Sequence, residues 1–289
     1  MKKVRCAALL AALLLLLSPS FARAGGRHRY RVLDAAVTML EEGNPFLLGY
    51  NSENGTDYRA AYPLGCPYFW GGRRADHILE PASPGQNSDY YSKEKTYLYG
   101  LDCVGFTRWA LQEAGYTEHD SIAGLLDRSK YREDVLYRAA KTTAERRVSE
   151  LRVGDLVAVR HPSGGYHCAM FIGTLLDFGY DRKNLPAELV PYLHYPLVIH
   201  CTGSSDYYER YRRWLEEEGD PETLPPFGGV IVSLLDAPAE AAPSFTPEVP
   251  EVPELKKPCF DLEGYHLEIL DLSAEKRQRW IRWRKRPGE

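Results

Sequence analysis

The stretch YLYGLDCVGFTRWALQEAGY, residues 97–116, decides how the rest of the chain is read. After Asp102 its apolar residues Val104, Trp109, Leu111 and Ala114 recur at helical spacing, and Gly115 is placed to end the run. Asp102 is a natural N-cap, because its carboxylate can accept amide protons that a first turn leaves without partners. The pattern predicts a helix over residues 103–114 that opens on a cysteine. Unsatisfied amides and the positive end of the helix dipole stabilise a thiolate there, which makes Cys103 a candidate nucleophile.

Upstream, Val32, Ala35, Ala36, Met39 and Leu40 predict a core-facing helix over residues 31–42, stopped by Gly43-Asn44-Pro45. Residues 51–98 are rich in Gly, Pro, Asn, Ser and Tyr and read as a long surface excursion around PYFWGG, residues 67–72. Downstream, four runs rich in Val, Ile, Phe and Leu, at 155–160, 167–175, 197–201 and 229–235, read as strands bounded by Gly or Pro. Helices followed by strands favour an α+β domain in which the nucleophile-bearing helix packs on an antiparallel sheet.

Two of those strands supply partners for the thiol. In LRVGDLVAVRHPSGGYHCAMFIG, residues 151–173, a strand and a Gly turn lead into a second strand that opens on His167. A histidine on a rigid strand can act as general base. His161 competes for that role but lies in the turn beside Pro162 and Gly164, where a side chain is poorly fixed, so His167 is preferred. His200, in LVIHCTG, would bond the far nitrogen of the His167 ring and select the tautomer that faces sulfur. The result is a Cys-His-His arrangement. His28, His77, His119, His194 and His266 fall in loops, insertions or tails and read as surface groups.

The dipeptides His167-Cys168 and His200-Cys201 also invite a zinc reading. Strand side chains alternate, so the two His would share one face and the two Cys the other, and four ligands would not converge. No metal is expected. Removal of a leader containing Cys6 would leave Cys66, Cys103, Cys168, Cys201 and Cys259, an odd set that fits one reactive thiol with up to two disulfides or with four buried thiols.

The ends of the chain are distinct. Residues 1–24 carry Lys2, Lys3 and Arg5, an apolar run over 7–17, and Ala22-Arg23-Ala24, the pattern of a secretory signal cut before Gly25. The main domain is expected over 25–236. Residues 237–258 hold six prolines and four glutamates and read as a stiff linker. Residues 259–289 are expected to give a strand at 265–272 and a short helical tail in which Trp and Arg interleave. That tail would either pack back on an acidic domain or hold an anionic cell-wall polymer or a membrane surface. With 36 basic against 40 acidic residues the chain lacks the basic footprint of a nucleic-acid binder.

Taken in order, YFWGG, GLDCVGF, VGDLVAV, HCAMFIG and VIH resemble the successive motifs of the NlpC/P60 papain-like cysteine peptidases of bacterial cell walls, across residues 67–204. The resemblance implies Cys103 as nucleophile, His167 as base and His200 as third polar residue, with Tyr68 and Asp102 recognising the free amino end of a short peptidoglycan stem peptide. It implies a secreted thiol protease that hydrolyses amide bonds beside D-glutamate without a metal or organic cofactor. Three departures stand out: Val104 where the family usually has Ser, a long stretch between Gly72 and Asp102, and an insertion over 176–196, the last two expected as walls or lids over a groove. A catalytically silent cell-wall binding module, and an amidase or acyl transferase with the same triad, are the competing readings.

Overall fold

A computed structural model describes residues 27–41, 43–55, 66, 68, 100–116, 122–126, 135–137, 150–160, 165–202, 229–236, 259–262, 265–270, 272 and 277–282. The leader at 1–24, most of the stretch between Gly72 and Asp102, His161 and the linker at 237–258 lie outside them.

Four α-helices belong to the described residues: α1 (Arg27–Thr38), α2 (Pro45–Asn54), α3 (Cys103–Glu113) and α4 (Ile122–Leu126). α1 begins four residues ahead of the expected start. Its apolar side continues past Thr38 through tight turns, Met39 N–H to Ala36 O and Leu40 N–H to Val37 O, so Met39 and Leu40 are still buried. α2 corrects the expectation that Asn44-Pro45 acts only as a stop. Asn44 is instead a cap, its side chain accepting from Leu47 N–H at 3.0 Å, and Pro45 occupies the first turn, where its missing N–H costs nothing. α3 ends as expected at Gly115: Gly115 N–H bonds Gln112 O and Tyr116 N–H bonds Leu111 O, a Schellman closure.

The strands are β1 (Val135–Tyr137), β2 (Leu156–Arg160), β3 (Tyr166–Gly173), β4 (Leu197–Thr202), β5 (Gly229–Leu235), β6 (Cys259–Leu262), β7 (Tyr265–Leu270) and β8 (Arg277–Ile281). They form one sheet in the order β1-β8-β2-β3-β4-β5-β7-β6. The sheet is not wholly antiparallel, because β5 and β7 run parallel. A parallel neighbour needs a crossover, and the chain between β5 and β7 provides it.

The sheet does not close at residue 236. β7 and β6 extend it beyond β5, while β8 enters between β1 and β2, so the chain beyond the linker contributes strands near both edges. β8 replaces the expected helical tail. Its Trp280 and Ile281 are buried on opposite faces, a period of two that pairing with β2 enforces over any helical propensity. Asp155, at the entry to β2, holds Arg282 in an ion pair of 3.0 Å. Trp280 and Arg282 are therefore committed to the fold and not presented to a polymer or membrane.

Alternation sorts the sheet into two faces. Leu156, Ala158, Cys168, Met170, Ile199 and Cys201 join the core under the helices, and α3 packs on β3 and β4 there. Val157, Val159, Ala169, Phe171, Val198 and Trp280 form a separate cluster on the other face. The insertion over 176–196 packs into the helix-side core through Tyr180, Leu185, Leu189, Tyr192 and Leu193, with a 3₁₀ helix at Ala187–Tyr192. Those side chains anchor the segment to the core, while Leu176 and residues 181–184 stay exposed.

Candidate active site

The approach to Cys103 is fixed one residue at a time. Gly100 has φ 135°, a conformation that side chains rarely allow, and it turns the chain into Leu101. Leu101 forms a parallel bridge with Tyr68 and accepts a hydrogen bond from the Cys201 thiol at 3.0 Å. Asp102 then caps α3: its Oδ1 accepts from Gly105 N–H at 2.7 Å, and the residue is 5% exposed. Cys103 comes next as the first helical residue. Tyr68, Asp102 and Cys103 are thus brought to one place, around the start of α3.

Cys66, Cys103, Cys168 and Cys201 are in no disulfide, so Cys168 does not pair with Cys201. Cys259 lies in β6. Their surroundings separate them. Burial pushes the Cys168 thiol up to about 12, the Thr107 hydroxyl 3.8 Å away only partly offsetting it. Burial raises Cys66 and Cys201 well above the ordinary thiol range as well. Those three are fully enclosed, whereas Cys103 retains 9% exposure at a helix start.

Thr107 ties the start of α3 to the strand that carries His167. Its hydroxyl donates to Cys103 O at 3.0 Å, or to Val104 O at 3.1 Å, and also touches Cys168 Sγ. Cys103 is therefore just over one turn, about 6 Å of rise, from the crossing with β3 at Cys168, the neighbour of His167. Val104, which replaces the expected Ser, is 2% exposed and belongs to the helix-side core.

The two histidines meet as the sequence pattern predicts. His167 Nε2 lies 2.8 Å from His200 Nδ1, with the rings edge to face at 82° and centroids 4.8 Å apart. The pairing explains the meeting: Met170 lies opposite Ile199 and Phe171 opposite Val198, so His167 and His200 fall on one face, near neighbours on the diagonal. His167 at the strand start is partly exposed, and His200 is buried at 2%. Each neighbouring cysteine points to the other face, which removes the geometry that a four-ligand zinc site needs.

Sequence reasoning missed Ser233. Its hydroxyl lies 2.8 Å from His200 Nε2, and it is 1% exposed. The signal was a lone polar residue inside GVIVSLL, a strand buried along almost its whole length.

No curated protein and no solved structure gives a match to this chain. A family model does match, and its span takes in Tyr68, Asp102, Cys103 and His167 while ending ahead of His200. Helix-borne cysteine, strand-borne histidine and the order in which they occur fit a papain-like α+β fold, and the model that matches residues 65–183 is that of the NlpC/P60 family.

Proposed function

We propose that the protein is a secreted cysteine peptidase that hydrolyses amide bonds in bacterial peptidoglycan stem peptides, with Cys103 as nucleophile, His167 as base and His200 as the residue that orients it. NlpC/P60 proteins are cysteine hydrolases of the cell wall, which supports the reaction class. The observation that carries the assignment to these residues is the 2.8 Å bond between His167 Nε2 and His200 Nδ1. It leaves Nδ1 of His167 as the nitrogen that would take the thiol proton of Cys103.

The reaction follows from these parts. The thiolate of Cys103 attacks the amide carbonyl, and the oxyanion is held by backbone N–H groups including that of Cys103. The imidazolium of His167 gives its proton to the leaving amine. Water activated by the same ring then hydrolyses the thioester and restores the thiol. The buried carboxylate of Asp102, close to Tyr68 across the Leu101 bridge, fits the free amino end of a stem peptide and favours cleavage beside D-glutamate. The leader pattern of residues 1–24 is what supports secretion.

Mass spectrometry of defined muropeptides incubated with the mature protein and with Cys103→Ala tests the reading. Cleavage by the parent alone is expected. If neither protein cleaves while Cys103 still reacts with an alkylating agent, the thiol is active and the stem-peptide assignment is wrong. A silent binding module would use the basic tail, of which Trp280 is buried and Arg282 is paired with Asp155, while residues 283–289 lie outside the described residues.

A further inference from the structure

The polar row behind His167 continues past His200. His200 lies opposite Ile231 and Val198 opposite Ser233, so His200 and Ser233 meet on the diagonal between β4 and β5, on the face that also carries His167. On the next strand, β7, the register sets Glu268 beside Ser233, and Glu268 is 7% exposed. Four adjacent strands, β3, β4, β5 and β7, thus contribute one polar residue each to one line across the sheet.

We propose that Ser233 is a positioning residue of the site: it fixes the tautomer of His200, and through His200 the orientation and protonation of His167. The proposal rests on the reading of Cys103 and His167 as nucleophile and base, and proton counting leads to it. His167 exchanges the thiol proton at Nδ1, because its Nε2 is occupied by His200. Neutral His167 in that role carries its proton on Nε2, and the imidazolium carries protons on both nitrogens. In either state Nε2 donates, so His200 Nδ1 has to accept. A neutral His200 then has its one proton on Nε2, within hydrogen-bond reach of Ser233 Oγ. The opposite tautomer would set two N–H groups against each other across 2.8 Å. His200 and Ser233 are 2% and 1% exposed, so bulk water does not compete for this choice and the serine oxygen makes it. The hydroxyl proton of Ser233 is left for the β7 side, where the register brings Glu268. A strand from beyond the family-matched segment therefore completes the row.

The test compares Ser233→Val with Ser233→Thr in the full chain, two substitutions of the same shape of which only Thr keeps the oxygen. Nitrogen-15 NMR of the histidine rings reads the tautomer directly. In the parent protein and in the Thr variant, His200 is expected to be protonated at Nε2 and bare at Nδ1, and in the Val variant the two forms are expected to mix. Alkylation of Cys103 by iodoacetamide as a function of pH gives the second readout. The Val variant is expected to react about tenfold more slowly, with a displaced pH profile, as loss of one buried hydrogen bond would produce. A Val variant that keeps both the parent tautomer and the parent pH profile would overturn the proposal, even if its melting temperature falls. Should Val prevent folding, Ser233→Ala gives the same comparison. Neither readout uses a peptide substrate, so a parent protein that cleaves no muropeptide yet shows the expected tautomer would defeat the peptidase reading and leave this one standing.

Discussion

The two faces of the sheet treat the same dipeptide in opposite ways. His167-Cys168 on β3 and His200-Cys201 on β4 each send sulfur toward the helices and imidazole to the other side. On the helix side the thiols are packed among apolar groups, and burial holds them protonated. On the imidazole side the rings bond one another and Ser233. Cysteine is therefore a poor marker of chemistry in this protein. What distinguishes Cys103 is its place at the first turn of a capped helix, where it keeps 9% exposure while Cys66, Cys168 and Cys201 are enclosed.

The largest effect that sharpens this contrast is kinetic. Cys103→Ala is expected to lower muropeptide cleavage by about 10⁴-fold or more, as removal of a covalent nucleophile does. Cys168→Ala is expected to keep cleavage and to lose about 1–2 kcal/mol in urea unfolding, because only packing is removed. Equal loss of activity in the two variants, with the Cys168 variant fully folded, would erase the distinction between the faces.

The next effect concerns what builds the imidazole face. Trp280, from the C-terminal strand β8, packs there with Val157, Val159, Phe171 and Val198. Trp280→Ala is expected to cost about 3–5 kcal/mol, read by urea denaturation. Arg282→Met, one strand end further on, leaves the Asp155 carboxylate buried at 2% exposure without its cation, and is expected to cost about 3 kcal/mol. Full stability in both variants would mean that the C-terminal strand is not integral to the sheet.

These two residues also show where the sequence was legible. The helix on Cys103, its cap and its Gly115 terminator, and the strands carrying His167 and His200 could be read because each rests on local rules of period, capping and breaking. Asn44-Pro45 was legible in principle: the pair serves as cap and first turn of α2 as readily as it serves as a stop, and the apolar residues Phe46, Leu47 and Leu48 just after it decide between the two. β8 was not legible. In RQRWI only Trp280 and Ile281 are apolar, and nothing local says that one will face each side of a sheet whose neighbouring strands lie more than a hundred residues away in sequence. Ser233 was missed for a related reason, since its meaning depends on a diagonal across β4 and β5 that pairing alone sets.

A smaller effect appears at alkaline pH. The folded pKa of Cys168 is raised to about 12 and those of Cys66 and Cys201 are raised in the same direction, all by burial. Above the unfolded thiol value of about 8.5 the unfolded chain binds fewer protons than the folded one, so stability falls as pH rises. It is fully present below that value and declines toward pH 12, by up to about 1.4 kcal/mol per pH unit for each thiol. Urea unfolding of Cys168→Ala between about pH 8 and 10.5, above the free-thiol value, should show a shallower decline than the parent. An unchanged slope would mean that Cys168 ionises as easily folded as unfolded, and the helix face would then resemble the site it is contrasted with.

The smallest expected effect is at the contact between the two regions. Thr107 bonds the Cys103 and Val104 carbonyls and touches Cys168 Sγ, so it stands where the helix that opens on Cys103 crosses the strand that carries His167. Thr107→Val keeps the shape and removes the hydroxyl. Because those carbonyls also serve the helix ladder they keep partners, and the loss should be about 0.5–1 kcal/mol with kcat unchanged. The hydroxyl also lowers the Cys168 pKa, so its removal should push that thiol further up and make it less reactive to a disulfide reagent in the folded protein. A fall in kcat at constant stability would carry a different meaning. It would show that the tilt of the first turn of α3, and with it the aim of the Cys103 sulfur, is set from the helix side, so that the face holding the enclosed thiols still controls the chemistry.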